Sequence, residues 1–130
     1  MIQLSKRLNA VAELLVHGID QLELEQPVLA DIGTDHAYLP VYLVQKKVVK
    51  KAYAADVRKG PLLHAKEHIE QYGLGEYIQT RLSDGGESFV PGESEVAVIA
   101  GMGGGLMQKI LSGSPEFFEK NSCVVLQPQS

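Results

Sequence analysis

The sequence predicts an α/β protein in which a parallel sheet is flanked by helices. Five short apolar segments alternate with segments whose apolar residues recur at helical spacing, which is the pattern of repeated βα units. Several apolar segments end in Asp and Gly, as strands do before tight turns. A length of 130 residues fits one domain and can bury a core. We therefore expect residues 1–130 to form a single domain.

The first half of the chain predicts three helices and two strands. An apolar face that begins at Leu4 indicates a first helix ending near Gly18. Pro40 suits the first position of the second helix, and Gly73 suits the C-terminal cap of the third. The predicted elements are a helix over residues 4–18, a strand over 28–33, a helix over 40–45, a strand over 50–57 and a helix over 60–73.

The second half predicts three more strands. Ser114 and Pro115 suit the N-cap and first turn of a short helix before the last strand. The predicted elements are strands over residues 77–82, 95–100 and 123–126, with helices beginning at residues 106 and 116. A sheet edge as apolar as CVVL is normally covered or continued by another strand. We therefore expect a shortened or truncated protein.

The composition excludes several classes of protein. A hydrophobic content of 45% with 22% charged residues is ordinary for globular proteins and argues against disorder. No apolar run approaches the ~20 residues that cross a bilayer, and the N-terminus has no signal-peptide pattern. We therefore expect a cytoplasmic protein without membrane contact. The net charge of -4 gives no basic footprint for nucleic acid, although it does not exclude such a partner.

The residues that could bind a metal do not predict a metal site. The single cysteine, Cys123, lies in an apolar strand and is interpreted as a buried thiol. His64 and His68 are four residues apart on a helix, but no Glu follows His64 as in HExxH and no third ligand is evident. Lys6 and Arg7 are placed on the polar outer face of the first helix, with phosphate contact as the alternative.

The predicted strand ends carry residues that suit one ligand pocket. The carboxyl ends of parallel strands border the crevice where open α/β sheets bind small molecules. A dinucleotide-binding loop reads G-x-G-x-x-G, but Asp35 occupies the place of its second glycine and would repel a pyrophosphate. S-adenosylmethionine carries a cationic ammonium and sulfonium instead. The loop therefore favours this cofactor.

The remaining strand ends suit the other parts of that cofactor. Asp56 ends the second strand, where a carboxylate can accept hydrogen bonds from both ribose hydroxyls. Asp84 is placed to accept from the adenine amino group, and Gly85 allows close approach. Residues 101–104 let the backbone pass beside the methionine moiety, and Met102 can pack on the adenine or the target base.

Together these motifs resemble a known enzyme family. SKRL, LADIGTDHAYLP, AADVRKGP, SDGGE, VIAGMGG and LQPQ, in this order and spacing, resemble the catalytic domain of the bacterial tRNA (adenine(22)-N1)-methyltransferases, the TrmK family. The resemblance implies a Rossmann-like class I methyltransferase fold with its final strands missing, and tRNA as the partner. It implies a cofactor site made of Asp31, Gly33, Thr34, Asp35, His36, Asp56, Val57, Asp84, Gly85, Gly101, Met102 and Gly103.

The resemblance has two departures. The family generally reads QPN where this chain has Gln127-Pro128-Gln129, and its members continue into a C-terminal helical, coiled-coil-like region that is implicated in tRNA binding. One expectation is therefore a fragment that binds the cofactor without modifying tRNA. An NAD-binding or nucleotide-binding domain is the other alternative, since the α/β pattern and GMGGG also suit phosphate.

The implied reaction is methyl transfer to N1 of adenine. Neutral adenine already presents a lone pair at N1, so no strong base is needed, and the sequence does not identify the catalytic residue. The fourth strand ends in AGMGG and not in the [DN]-P-P-[YF] motif of exocyclic-amine methyltransferases, which fits a ring nitrogen. His36 and Tyr38 are candidates for contacting a flipped base, and Gln127 for holding its edge. Loop scaffolding and strand capping are equally open roles for these three residues.

Overall fold

The computed structural model describes residues 2–129 and contains one parallel sheet between two layers of helices. The elements are α1 (Lys6–Gln21), β1 (Val28–Ile32), α2 (Tyr38–Gln45), β2 (Lys51–Asp56), α3 (Lys59–Gln71), β3 (Ile78–Leu82), β4 (Val96–Met102), α4 (Gly104–Gly113), α5 (Pro115–Lys120) and β5 (Cys123–Pro128). The strand order is β3-β2-β1-β4-β5, and every neighbouring pair is parallel. This arrangement confirms the predicted Rossmann-like fold.

Alternating residues of the central strands pack into two separate cores. Val98 packs with residues of α1, α2 and α3 on one side of the sheet. Its neighbour Ile99 packs on the other side with Met107 of α4 and Phe117 of α5. Successive side chains of a strand point to opposite faces, so one strand supplies both cores. Because both faces are covered, β4 is apolar throughout and β1 is apolar except for Asp31.

The strand order reverses at β1, which fixes the position of the ligand crevice. β1 pairs with β2 on one side and with β4 on the other. Asp31, near the end of β1, therefore lies between Ala54 and Val98 in the sheet register. In open α/β sheets such a reversal leaves a crevice at the carboxyl ends of the strands.

Three predicted helix boundaries were wrong. α1 continues past Gly18 to Gln21, and a Cβ atom at Gly18 would lie 2.9 Å from the Cys123 thiol, so this glycine permits close packing against β5 rather than ending the helix. Pro40 is the third residue of α2, where a missing N–H also costs no helical hydrogen bond. α4 begins at Gly104 rather than at residue 106. Ser114 is the N-cap residue of α5 as predicted, although its side chain makes no capping hydrogen bond.

Three further observations concern the thiol, membrane spans and metal sites. Cys123 is half-buried on β5 rather than fully buried, and its burial raises the pKa of the thiol. Within residues 2–129, no helix is long and apolar enough to cross a bilayer. In the same residues, no group of three His, Cys, Asp or Glu side chains is arranged to hold a metal ion.

Candidate functional site

Two adjoining cavities open at the carboxyl ends of the strands. The larger, of about 320 Å³, is bordered by the ends of β1 to β4 and by α4. The smaller, of about 240 Å³, lies between the loop after β1 and the first turn of α1. Arg7, Gly33, Asp35 and Ala100 line both cavities. One extended ligand can therefore occupy the two cavities together.

The loop after β1 is tied to β2 and holds Asp35 at the junction of the cavities. The backbone N–H groups of Gly33 and Thr34 both donate to the carbonyl of Ala55, at 2.9 and 2.8 Å. Gly33 has a φ of +77°, and a Cβ atom there would clash with the Met102 methyl group. Asp35 and Ala37 also adopt positive φ, at 60° and 62°. This conformation leaves the Asp35 side chain 66% exposed.

Asp31 is a buried carboxyl group with one hydrogen-bond donor from a side chain. It is 4% exposed and lines the smaller cavity. Burial raises the pKa of Asp31 to about 7, and the hydroxyl of Thr34, which donates to Oδ2 at 2.8 Å, opposes that rise. The negative charge of Asp56 also raises the pKa of Asp31, whereas the Arg7 guanidinium lowers it. A cationic group in the smaller cavity would favour the ionised form of Asp31.

Asp56 lies at the end of β2 and lines the larger cavity together with Val57. Its Oδ1 atom accepts a hydrogen bond from the backbone N–H of Arg58 at 3.0 Å. The Arg58 Nε lies 3.5 Å from the same oxygen. The two contacts with Arg58 orient the Asp56 carboxylate and use only its Oδ1 atom. The other oxygen can accept hydrogen bonds from a ligand.

The turn after β3 is built by Ser83. Its hydroxyl donates to the carbonyl of Gly85 at 2.7 Å and accepts from the backbone N–H of Ser88 at 3.1 Å. Asp84 is exposed and lines the larger cavity beside Gly85. Gly85 has a φ of +58°, and a Cβ atom there would lie 3.0 Å from Ile110 of α4. The glycine thus serves the turn and the packing of α4, in addition to bordering the cavity.

The end of β4 is joined to α1 through Gln127 of β5. The Oε1 atom of Gln127 accepts from the backbone N–H of Gly101 at 3.2 Å and from Arg7 Nη1 at 3.2 Å. A Cβ atom at Gly101, which has a φ of +77°, would lie 3.1 Å from that Arg7 nitrogen. Gly101 and Met102 line the larger cavity. Gln127 therefore holds Arg7 over the end of β4.

His36 belongs to a cluster of four rings beside the smaller cavity. Its ring centroid lies 5.4 Å from those of Tyr38 and His64 and 5.6 Å from that of His68. His68 Nδ1 lies 3.0 Å from the carbonyl of His36, so a protonated Nδ1 donates to it. His64 and His68, which the sequence indicated only as ordinary helical histidines, thus join the loop after β1 to α3.

The cavities bring together most of the predicted site residues. Of the predicted residues, all within 2–129, the larger cavity is lined by Gly33, Asp35, Asp56, Val57, Asp84, Gly85, Gly101 and Met102. The smaller is lined by Asp31, Gly33, Thr34, Asp35 and Tyr38. His36, Gly103 and Gln127 line neither. Gly103 is exposed and forms the N-cap of α4.

Arg7 is the main site residue that the sequence prediction placed wrongly. Helical periodicity assigned Arg7 to the outer face of α1, yet its side chain lines both cavities. Arg7 lies four residues before the buried Val11, at the edge of the apolar face of α1, and the first turn of α1 lies beside the strand ends. Its side chain can therefore reach the crevice. The motif SKRL was the only signal for this role. Arg58, Leu106 and Ile110 also line the larger cavity without having been predicted.

Comparison with known proteins identifies similar domains. Residues 4–130 match the model of the methyltransferase domain family. The chain is 40% identical over 127 residues to the tRNA (adenine(22)-N(1))-methyltransferase of Bacillus subtilis strain 168, covering 98% of this chain and 50% of that relative.

Solved structures of similar proteins contain the cofactor or its product. M. capricolum TrmK in complex with S-adenosyl-homocysteine has a TM-score of 0.80 and 34% identity, covering 99% of this chain and 54% of that one. A candidate tRNA (m1A22) methyltransferase of Streptococcus pneumoniae in complex with S-adenosyl-L-methionine has a TM-score of 0.86 and 37% identity. The match covers 97% of this chain and 56% of that one. The chain thus spans about half the length of these relatives.

Proposed function

The chain belongs to the methyltransferase domain family, and from this premise we propose that it binds S-adenosylmethionine across the two cavities and methylates N1 of an adenine in tRNA. The similarity to the Bacillus subtilis enzyme supports adenine 22 as the target. A role in tRNA modification also favours a cytoplasmic protein. The single sheet with its two helical layers supports one cofactor-binding domain over residues 1–130.

The observation that carries the proposal is the set of carboxylates around the larger cavity. Asp35, Asp56 and Asp84 come from three different strand ends and line the same space. The free oxygen of Asp56 suits the ribose hydroxyls, and Asp84 suits the adenine amino group. Leu106, Ile110 and the exposed Val57 supply apolar surface for the adenine ring. The residues present therefore fit an adenosine.

The smaller cavity fits the amino-acid end of the same cofactor. An α-amino acid carries one carboxylate and one ammonium group, and this cavity is lined by one guanidinium, Arg7, and one buried carboxyl, Asp31. We assign Arg7 to the carboxylate and Asp31 to the ammonium. Gly33 and Asp35 border both cavities, and we assign them to the region of the sulfur.

Positioning is the main catalytic contribution of these residues. S-adenosylmethionine would supply a methyl group on a positively charged sulfur. The lone pair of adenine N1 would form the new N–C bond as the S–C bond breaks, with S-adenosylhomocysteine as the leaving group. Alignment of two reactants in one site can supply roughly 7 to 11 kcal/mol of the barrier. The methylated base carries a positive charge, which the exposed carboxylate of Asp35 can stabilise as it develops. We assign Tyr38, which lines the smaller cavity, to contact with the base.

The structure favours a positioning role for Gln127 over contact with the base edge. Its Oε1 atom is already used by Gly101 and Arg7, and its Nε2 lies 3.4 Å from the Pro128 carbonyl. Its side chain lines neither cavity. We therefore assign Gln127 to holding Arg7 and the end of β4 rather than to the target adenine.

Calorimetry tests the cofactor assignment. We expect the 130-residue chain to bind S-adenosylhomocysteine and not NAD. Tight binding of NAD without binding of S-adenosylhomocysteine would replace the proposal by a dinucleotide-binding function.

A second experiment separates methylation from cofactor binding alone, an alternative favoured by the chain spanning about half of its relatives. The chain is incubated with labelled S-adenosylmethionine and unmodified tRNA, beside a matched transcript in which G replaces A22. We expect label in the A22 transcript only. Cofactor binding without labelled tRNA would show that these residues form a binding module.

A further inference from the structure

The ring cluster defined by His36, Tyr38, His64 and His68 lies at an exposed rim and not in a core. The Tyr38 and His68 centroids are 5.0 Å apart, which joins α2 to α3 across the cluster. Tyr38 is 37% exposed, and the side chain of His64 is 62% exposed. The buried Nδ1 atom of His36 has no hydrogen-bond partner within the described residues. The packing of the two cores therefore does not account for this gathering of rings.

The cluster borders the place where the proposed substrate must enter. Tyr38 lines the smaller cavity, and His36 Nε2 lies 3.7 Å from Asp35 Oδ1, which borders both cavities. Aromatic and imidazole rings stack on unpaired bases, and this contact tolerates any base because every base has a π face. The carboxylates Asp35 and Glu67 beside His36 and His64 make the rim less suited to phosphate.

From this arrangement we propose that the ring cluster is a stacking surface for an unpaired base of the RNA substrate, with His64 as its outer contact. The inference rests on the proposed function, because it takes the ligand of the neighbouring site to be RNA. It adds two residues of α3 to the substrate surface. It also specifies that the contact is made to the face of a base and not to the phosphate backbone.

The test uses the 130-residue chain and a short single-stranded RNA that contains 2-aminopurine, whose fluorescence is quenched on stacking. We expect quenching on binding, and we expect His64→Ala to weaken binding at least about fivefold, the lower end for loss of one stacked base. His64→Phe should keep the affinity for the RNA within about twofold, because it keeps a ring. His64→Lys should weaken the binding of the RNA as much as His64→Ala does.

Two exposed residues away from the cluster serve as matched controls. His17→Ala removes an exposed histidine from α1, and Tyr77→Ala removes an exposed tyrosine that precedes β3. Neither should change RNA binding. The dissociation constant for S-adenosylhomocysteine, measured on each variant, reports whether the fold is intact.

The outcomes separate this inference from the proposed function. Absence of quenching by the wild-type chain, an unchanged affinity in His64→Ala, or loss of binding in His64→Phe would overturn the stacking surface. If His64→Lys keeps the affinity for the RNA and His64→Phe loses it, the contact is made to a phosphate instead. If the wild-type chain fails to bind S-adenosylhomocysteine, the proposed function is wrong, whereas the RNA measurement still decides the role of the rings.

Discussion

The two cavities at the end of the sheet are built in different ways. The larger is lined mainly by residues that follow β1, β2, β3 and β4, which the parallel topology brings to one edge. The smaller depends on the first turn of α1, which is held there partly by the contact between Arg7 and Gln127, 120 positions apart in the chain. Topology alone therefore forms one half of the site, and the docking of a single helix forms the other.

The two halves also treat their carboxyl groups differently. In the larger cavity, Asp56 has a fixed partner in the backbone N–H of Arg58. In the smaller cavity, Asp31 is buried with the Thr34 hydroxyl as its side-chain donor, and its pKa rises to about 7. The half that depends on α1 thus contains the group that opposes folding at neutral pH. We therefore expect that substitution of this carboxyl in the smaller cavity raises the stability of the fold while it weakens ligand binding. We expect no such opposition for the larger cavity.

The largest expected effect is on stability and comes from Asp31→Asn. The carboxyl is protonated more readily in the folded chain, with a pKa of about 7 against 3.8. The free energy by which the raised pKa of Asp31 destabilises the folded chain is zero below about pH 4. It grows as the pH rises towards 7 and reaches about 4 kcal/mol. Asp31→Asn should therefore raise the free energy of unfolding at pH 8 by a few kcal/mol, and by less at pH 5. Urea denaturation at the two pH values measures the difference.

Asp20→Asn is the control for the pH series, because Asp20 is exposed at the end of α1. It should show no comparable dependence on pH. The same Asp31→Asn protein should bind S-adenosylhomocysteine more weakly, since the ligand ammonium loses its ionised partner. A gain in stability that is equal at pH 5 and pH 8 would contradict the explanation by ionisation.

The next effect is on binding and comes from Asp56→Ala in the larger cavity. Loss of hydrogen bonds to a charged group costs about 1.5 to 3 kcal/mol, so the dissociation constant of S-adenosylhomocysteine should rise by about 10- to 150-fold. Calorimetry measures this change. Asp56→Asn keeps an acceptor for the Arg58 N–H and serves as the control for the local turn. An unchanged dissociation constant in both variants would remove Asp56 from the ribose site.

A smaller effect is expected for Arg7→Gln, and it should depend on which part of the ligand is present. Arg7 is exposed, so we expect about a tenfold loss for S-adenosylhomocysteine, near the lower end for a charged hydrogen bond. 5′-Methylthioadenosine lacks the amino-acid end and should bind wild type and variant equally. Lys6→Gln, on the neighbouring exposed residue, is the charge-matched control. Equal losses for both ligands would place Arg7 at the adenosine and not at the carboxylate.

The sequence was sufficient for one half of the site because strand ends can be located from hydrophobic pattern. Asp56, Asp84 and Gly101 lie at or just after the ends of predicted strands, and parallel strands must bring such residues together. Arg7 could not be placed in this way, since helical periodicity shows which face is apolar but not where the helix end lies. The ring cluster was missed for a similar reason, because His64 and His68 meet His36 only through the packing of α3 beside the loop after β1.

The smallest expected effect tests whether Gln127 acts through Arg7. Gln127→Ala removes one neutral acceptor, worth about 0.5 to 1.5 kcal/mol, so the affinity for S-adenosylhomocysteine should fall about two- to tenfold. In the Arg7→Gln background most of this loss should disappear, because the two residues act as a unit, and the part that persists measures the Gly101 contact. Gln79→Ala, at an exposed position of β3, is the control. Four calorimetric titrations complete the cycle, and fully additive losses would mean that Gln127 does not position Arg7.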